Sequence, residues 1–187
     1  QTDGRKPKGI RPKKENRAWL QFRILDGDPP GPQEVEGVEN GEFTISEGDV
    51  VREFYRYSED EAVATRLFEF SRKNGAWVVN DRYYSPRRTD ATPLLNSMER
   101  WIFKNKGGGW WHPIHVHLEG IQVMRIDDKK FDDSDFPIEY RWNTDLVNLE
   151  GGQEAECLVK LRTFKGPFVC HCHIIEHEDM RMMFTFD

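Results

Sequence analysis

The chain has no histidine before His112, only three cysteines among 187 residues, and no long apolar run. No apolar stretch approaches the roughly 20 residues that a membrane-spanning helix needs, so we expect no membrane span. The formal net charge of −6 argues against nucleic acid as a partner, because nucleic-acid-binding surfaces are basic. The cysteine count alone says little about the redox compartment.

Charge is unevenly distributed over the first part of the chain. Residues 1–17 hold seven Lys or Arg and two acids, a composition typical of a loop or frayed terminus. The alternating apolar stretch from Ala18 to Leu25 predicts one strand. Residues 26–61 then hold twelve acids against two Arg, and their turn-rich, proline-containing start favours a solvated linker.

Short strands and turns dominate the sequence from residue 62 onward. Lys73-Asn74-Gly75 has the composition of a hairpin turn between two apolar strands. Lys165-Gly166-Pro167 predicts a turn into the final cysteine-containing strand. The absence of long helical periodicity predicts an all-β fold, an antiparallel sandwich or barrel. Its predicted strands are Thr65–Phe70, Ala76–Val79, Arg100–Lys104, His115–Ile126, Glu156–Phe164 and Phe168–His173.

All six histidines lie in two windows, residues 112–117 and 171–177, and the second window also contains Cys172 and is followed by Met182. Imidazole, thiolate and thioether are donors that suit copper, and two His, one Cys and a weak axial Met form a blue-copper site. An isolated histidine is usually a core residue and a single His-x-His pair is often accidental. Two windows that contain every histidine of the chain favour metal binding over both explanations.

Strand alternation predicts two metal sites on opposite sides of one strand. Successive side chains of a strand point to opposite faces, so His171 and His173 point together while Cys172 points away. His115 and His117 repeat this spacing, and two such strands side by side bring four imidazoles to one region. The donors left for Cys172 are His112, His177 and, axially, Met182.

His112-Pro113-x-His115-x-His117 and His171-Cys172-His173-x-x-x-His177 resemble the last two copper motifs of multicopper oxidases. Residues 96–117 and 166–183 are similar to bacterial laccase-type enzymes of the spore-coat laccase, bilirubin oxidase and phenoxazinone synthase group. The resemblance implies a C-terminal cupredoxin-like Greek-key β-barrel over residues 62–187. It also implies that residues 1–61 are the end of a preceding domain plus an acidic, Pro-rich linker.

The same resemblance implies ligand roles and an activity. His112, Cys172, His177 and axial Met182 would hold the type 1 copper, His115 the type 2 copper, and His117, His171 and His173 the type 3 pair. Four one-electron oxidations of a donor would be coupled to reduction of O2 to water, with Glu178 assisting proton delivery. The family resemblance also favours a periplasmic or secreted location.

A complete cluster of this family takes two further His-x-His pairs, and no histidine precedes His112. We therefore expect either a partner chain or a cleaved, associated N-terminal portion to complete the trinuclear cluster, in preference to a mere fragment. The donor is not encoded in any readable loop motif. Phenolic or other aromatic donors rank first, an Fe, Mn or Cu ion oxidase second, and a type 1 electron-transfer protein without oxidase activity is the non-enzymatic alternative.

Carboxylates close to the ligands are candidates to orient the histidines. Glu119, Glu176 and Asp179 are named for this reason together with Glu178, although Glu176 and Asp179 are equally expected to be solvated. Cys170 is expected to pack beneath the metal site, and a disulfide between Cys157 and Cys170 is possible but not favoured.

Trp110 and Trp111 are candidates to line the type 1 site or contact substrate, and core packing is the favoured alternative. The glycines at positions 107–109 would allow a sharp bend into the metal-binding strand, and a flexible loop is an equal alternative.

Overall fold

The computed structural model describes residues 56–187 apart from positions 142 and 163, together with two short strands nearer the start. These two strands, β1 (Val38–Glu39) and β2 (Glu42–Phe43), pair antiparallel and belong to a separate unit. The strand predicted at residues 18–25 and most of the acidic linker lie outside the described residues. The domain division at residue 61 therefore stays a prediction.

The larger unit contains ten further strands and one α-helix. A 3-10 turn at Glu59–Glu61 precedes them. Another, Ile138–Tyr140, lies between the strand that ends at Lys130 and the strand that begins at Leu146. The elements are β3 (Ala64–Lys73), β4 (Ala76–Val79), β5 (Met98–Asn105), β6 (His112–Val116), β7 (Ile121–Ile126), β8 (Lys129–Lys130), β9 (Leu146–Leu149), β10 (Glu154–Lys160), β11 (Phe168–Cys172), α1 (Ile175–Asp179) and β12 (Met183–Phe186).

The strands form two sheets, one of six strands in the order β4-β3-β5-β10-β7-β8 and one of four in the order β12-β11-β6-β9. Every pairing is antiparallel except β3 with β5, which is parallel. The predicted all-β sandwich is therefore confirmed, with one parallel pair that the sequence pattern did not indicate.

An aromatic core joins the two sheets. Phe68 of β3 stacks on Phe184 of β12 with ring centroids 4.0 Å apart. Trp101 and Phe103 of β5 are fully buried and alternate with half-buried residues, the period-2 pattern of a sheet with one face on the core. Burial of these large rings supplies the main stabilisation of the sandwich.

The hairpin prediction is confirmed. Asn74 and Gly75, with φ of 49° and 83°, form a two-residue turn between β3 and β4, and Arg72 pairs with Trp77 beside it. Positive φ at both central positions is the geometry of a type I′ turn, whose twist matches the flanking strands.

The predicted continuous strand from His115 to Ile126 is wrong. β6 ends at Val116 in the four-stranded sheet, and β7 begins at Ile121 in the six-stranded sheet. Leu118, with φ of 71°, and Gly120 lie in the connection, so the chain crosses between the sheets here. The other predicted strands are present with ends shifted by a few residues; β10, for example, ends at Lys160 and not at Phe164.

Candidate metal centres

Three buried donor atoms converge at the first centre. Cys172 Sγ lies 3.5 Å from Nδ1 of His112 and 3.5 Å from Nδ1 of His177, and the two nitrogens are 3.3 Å apart. A point equidistant from atoms at these separations lies about 2 Å from each, close to the length of a transition metal bond to imidazole nitrogen. A trigonal set of two imidazoles and one thiolate is the donor set of a blue-copper site.

Three separate elements bring these donors together. His112 is the first residue of β6 and Cys172 is the last residue of β11, and these strands pair antiparallel with Cys172 opposite Ile114. His177 is on α1, which follows the strand directly. The amide of Cys172 donates to the Met182 carbonyl and the amide of Met182 donates to the His177 carbonyl.

Met182 is thus tied through its backbone to two of the three donors, and its side chain is fully buried. Its predicted axial role stays a prediction.

Burial sets the protonation of the first centre. It lowers the pKa of His112 to about 3, with a further contribution from neighbouring His177, and lowers the pKa of His177 to about 4. Both imidazoles are therefore neutral near pH 7 and have a lone pair for a metal. Burial raises the pKa of the Cys172 thiol to about 12, so a metal ion must displace the thiol proton to bind.

A second cluster of imidazoles consists of His115, His117 and His171, whose nearest nitrogens lie within 4.8 Å of one another. Nε2 of His117 is 3.0 Å from Nε2 of His171, and His115 is the cross-strand partner of His171. Nδ1 of His115 lies 2.9 Å from the Asp145 carbonyl oxygen. A carbonyl can only accept, so the proton is on Nδ1 and the lone pair is on Nε2.

His173 lies immediately after β11 and is exposed. Its ring centroid is 5.6 Å from those of both His115 and His171, at the border of the second cluster. All six predicted histidines and Cys172 therefore lie at one of two places in the fold. Their role as copper ligands remains a prediction.

Two indoles enclose the first centre. The ring of Trp77, on β4, lies 3.9 Å from that of His177 and 5.4 Å from that of His112, centroid to centroid. Trp110 contacts His177 edge-on at 5.3 Å, so it lines the site, although core packing was the favoured expectation. Sequence reasoning missed Trp77, because a single tryptophan in a hairpin is an ordinary core residue and its contact is distant in the chain.

The nearby carboxylates differ in what they contact. The Glu178 carboxylate lies 3.4 Å from Nδ1 of His171, in agreement with its candidate status. Glu119 was the wrong candidate: its buried carboxylate accepts from the backbone N–H and Nε of Arg162, 2.7 Å and 3.0 Å away. Glu176 and Asp179 are exposed, which agrees with the alternative that they are solvated.

The cysteines other than Cys172 pack in the core. Cys157 and Cys170 are fully buried free thiols, and burial raises the pKa of each, so both stay protonated. The disulfide that was possible but not favoured is absent from the described structure.

The glycines before His112 are closely packed and not merely flexible. A Cβ on Gly151 would lie 2.5 Å from the Gly107 carbonyl oxygen and 2.7 Å from the Gly109 nitrogen, so the two loops touch through backbone. Buried Asn105 accepts from the Gly107 amide through Oδ1 and donates through Nδ2 to the Trp110 carbonyl. The loop is therefore held in a defined bend, with Gly109 at φ 92°.

No helix in the described part of the chain is both long and apolar enough to cross a bilayer.

The family model described as multicopper oxidase matches residues 57–187.

Relatives include a multicopper oxidase of Staphylococcus haemolyticus, 37% identical over 109 residues that cover 57% of this chain and 23% of the relative. A bilirubin oxidase of Albifimbria verrucaria is 31% identical over 65% of this chain and 22% of its own length. A laccase of Haloferax volcanii is 31% identical over 70% of this chain and 23% of its own length. The chain thus spans about a quarter of the length of these curated relatives.

Solved structures give the same result for the fold. A Campylobacter jejuni multicopper oxidase, described as a metallo-oxidase, superposes with a TM-score of 0.59 at 25% identity and covers 72% of this chain and 31% of its own. A Pediococcus acidilactici laccase superposes with a TM-score of 0.65 at 22% identity, over 73% of this chain and 29% of its own. With the two-sheet topology, these matches confirm the predicted cupredoxin-like fold.

Proposed function

This chain belongs to the multicopper oxidase family, and we propose that it holds the type 1 copper and part of the trinuclear cluster of a laccase-like oxidase. The observation that carries the proposal is the position of Cys172 between two donor clusters. Its sulfur belongs to the first cluster, while its chain neighbour His171 belongs to the second. A blue-copper electron carrier needs only the first cluster, so the second favours an oxidase.

Copper, when bound, supplies one-electron redox chemistry at the first centre and reduction of O2 at the second. His112 and His177 are neutral and oriented for binding before the metal arrives. Trp77 and Trp110 exclude water from around them. The buried thioether of Met182 is the fourth, weak donor in this proposal.

Cys172 is the covalent connection between the two centres. One peptide bond joins it to His171 and the next joins it to His173, so the path between the clusters runs along a few main-chain and side-chain bonds. Four donor molecules each lose one electron and one proton, and one O2 takes up four electrons and four protons to give two waters.

Glu178 is proposed to hold and deliver protons for this reduction. Its carboxylate lies 3.4 Å from Nδ1 of His171, yet 38% of the side chain is exposed. A group that reaches both solvent and the second cluster can take a proton from one and pass it toward the other.

Further histidine ligands from outside this sequence are proposed to complete the second cluster, either from a partner chain or from another part of a longer polypeptide. Phenolic or other aromatic molecules are proposed as donors, with a metal ion as the second candidate. A periplasmic or extracellular location is proposed on the family relationship alone.

The decisive experiment uses the complete oxidase, purified with whatever supplies the remaining ligands. Copper per molecule, visible and paramagnetic spectra, and O2 uptake with a phenol would be measured. About four coppers per molecule with O2 uptake are expected. One blue copper without O2 uptake would replace the oxidase by an electron carrier.

A further inference from the structure

A cation, an indole and a metal-ligand candidate are layered at the first centre. The Arg72 guanidinium lies over the Trp77 ring, 5.1 Å from its centroid, and the Trp77 ring lies 3.9 Å from that of His177. Two hydrogen bonds from Arg72 to the Gly75 carbonyl hold the guanidinium on the hairpin. His177 and Trp77 are only 2% and 4% exposed, whereas Arg72 is exposed.

The hairpin segment that carries Arg72 is basic in sequence although the chain as a whole is acidic. Residues 72–88 contain five Lys or Arg and one acid, Asp81, against a net charge of −6 for the chain. The loop folds back on the hairpin: Lys73 Nζ donates to the Asp81 carbonyl, and Tyr83 donates to the Lys73 carbonyl. The exposed cations of this segment are Arg72, Lys73, Arg82 and Arg87, and Arg72 is the one that lies over Trp77.

A negative charge also lies close to His177. Glu176, exposed on α1, is the neighbour of His177 in the chain and opposes the positive charge of Arg72.

We propose that the exposed layer of Arg72 over Trp77 is the docking surface for the electron donor and that its positive charge selects anionic aromatic molecules, such as phenols carrying a carboxylate. This inference rests on the proposed oxidase function and names its substrate class. His177 is covered, so a donor approaches it over the Arg72–Trp77 layer. The Arg72 guanidinium has further N–H groups beyond those that donate to the Gly75 carbonyl and can offer them to a carboxylate, and its positive charge raises the local concentration of anions.

The redox balance needs no further reagent. Each docked phenol loses one electron and releases its hydroxyl proton, leaving a phenoxyl radical with its carboxylate intact. The oxidase reaction supplies O2 as the final electron acceptor.

The first test compares two donors with the same ring on the complete oxidase. Syringate carries a carboxylate and 2,6-dimethoxyphenol does not. Arg72→Ala should lower kcat/KM for O2 uptake with syringate about fivefold, through KM, and leave 2,6-dimethoxyphenol nearly unchanged. The difference should shrink at high ionic strength, because salt screens exposed charges.

Two conservative variants and one control sharpen this test. Arg72→Lys should retain most of the preference for syringate, and Glu176→Gln should increase it. Lys130→Ala removes one exposed cation from β8, in the sheet edge opposite β4, and should leave the preference unchanged. An equal fall with both donors in Arg72→Ala, or an equal effect of Lys130→Ala, would overturn the inference.

A binding measurement separates this inference from the oxidase proposal. 3,4,5-Trimethoxybenzoate has no phenolic hydroxyl, and its binding to the copper-free protein can be followed by ligand-observed NMR. Binding that weakens in Arg72→Ala but not in Lys130→Ala supports the docking surface even if O2 uptake fails. Equal binding to the original protein, Arg72→Ala and Lys130→Ala refutes the docking surface even if O2 uptake is observed.

Discussion

The carboxylate of Glu178 lies 3.4 Å from Nδ1 of His171, although one residue is on a short helix and the other on a strand. The same nitrogen is 3.1 Å from the Cys172 carbonyl oxygen. The Cys172 carbonyl accepts a hydrogen bond from Nδ1, which leaves the lone pair on Nε2, 3.0 Å from Nε2 of His117. The position of Glu178 beside this ring supports its proposed role in proton delivery.

Glu178→Gln should slow O2 uptake by a factor of roughly 10 to 100, because an amide still accepts a hydrogen bond but cannot carry a proton. The blue absorption should remain, since the first centre is unchanged. Stopped-flow O2 consumption across pH is the measurement. Asp179→Asn, a neutralised carboxylate on the same helix, is the control, and unchanged O2 uptake in Glu178→Gln would exclude the proton role.

Replacement of Cys172 by serine should abolish the intense visible absorption of the copper-loaded protein, because that absorption needs the thiolate. Cys170→Ala is the matched control two residues away. It should retain the absorption and cost about 1 to 2 kcal/mol in stability for the small cavity it leaves. Visible spectra and urea unfolding of both variants test this, and a blue Cys172→Ser protein would contradict the assignment.

Acid should destabilise the copper-free protein through its buried histidines. The pKa of His112 falls from 6.5 to about 3 on folding and that of His177 to about 4, both mainly because of burial. Between these values and 6.5 the unfolded state binds more protons than the native state. This contribution to stability is therefore fully present above pH 6.5 and is lost as the pH falls toward 3.

Urea unfolding at pH 7 and pH 4 should show a loss on the order of 6 kcal/mol from this pair. His112→Gln removes one of the two groups and should flatten the pH dependence. If His112→Gln kept the full pH dependence of stability of the original protein, the acid sensitivity would be due to other groups.

Gly151→Ala should disturb the loop that leads into His112, because the new Cβ would lie 2.5 Å from the Gly107 carbonyl oxygen. We expect a loss of about 1 to 3 kcal/mol in unfolding free energy and weaker copper retention. Gly108→Ala is the control, since a Cβ there meets nothing within 4 Å. Thermal melts and copper retention after dialysis distinguish the two, and similar behaviour of both variants would show that the close approach relaxes freely.

Glu99→Gln should destabilise the sandwich by roughly 1 to 3 kcal/mol. Buried Glu99 accepts from Nε and Nη2 of Arg66 and from Nε1 of fully buried Trp101. An amide cannot accept at both ends, so at least one of these donors loses its partner. Glu154→Gln breaks the exposed pair with Lys104 and should change stability by less than about 1 kcal/mol.

The donor clusters followed from spacing in the sequence because strand alternation is a rule of the backbone. For this reason alone the side chains of Cys172 and His171, which are adjacent in the chain, point to opposite faces of β11. The break between β6 and β7 was missed because Leu118 continues the apolar pattern. Gly120 was the available signal for it.

Contacts between distant residues left no trace in the sequence. Glu119 contacts Arg162 at the end of the β7–β10 pairing, and Trp77 contacts His177 where the two sheets meet. Neither carboxylates nor tryptophans have a spacing rule that identifies such a partner. Local patterns therefore predicted which residues lie together in the two donor clusters, but not which residues surround them.

The five-residue helix α1 carries His177 toward one centre and its immediate neighbour Glu178 toward the other. Such a helix has less than two turns, so a shift of it would displace a candidate metal ligand and a candidate proton carrier together. An insertion between these two residues would change the position of at least one of them relative to its centre, so changes in this helix affect both centres.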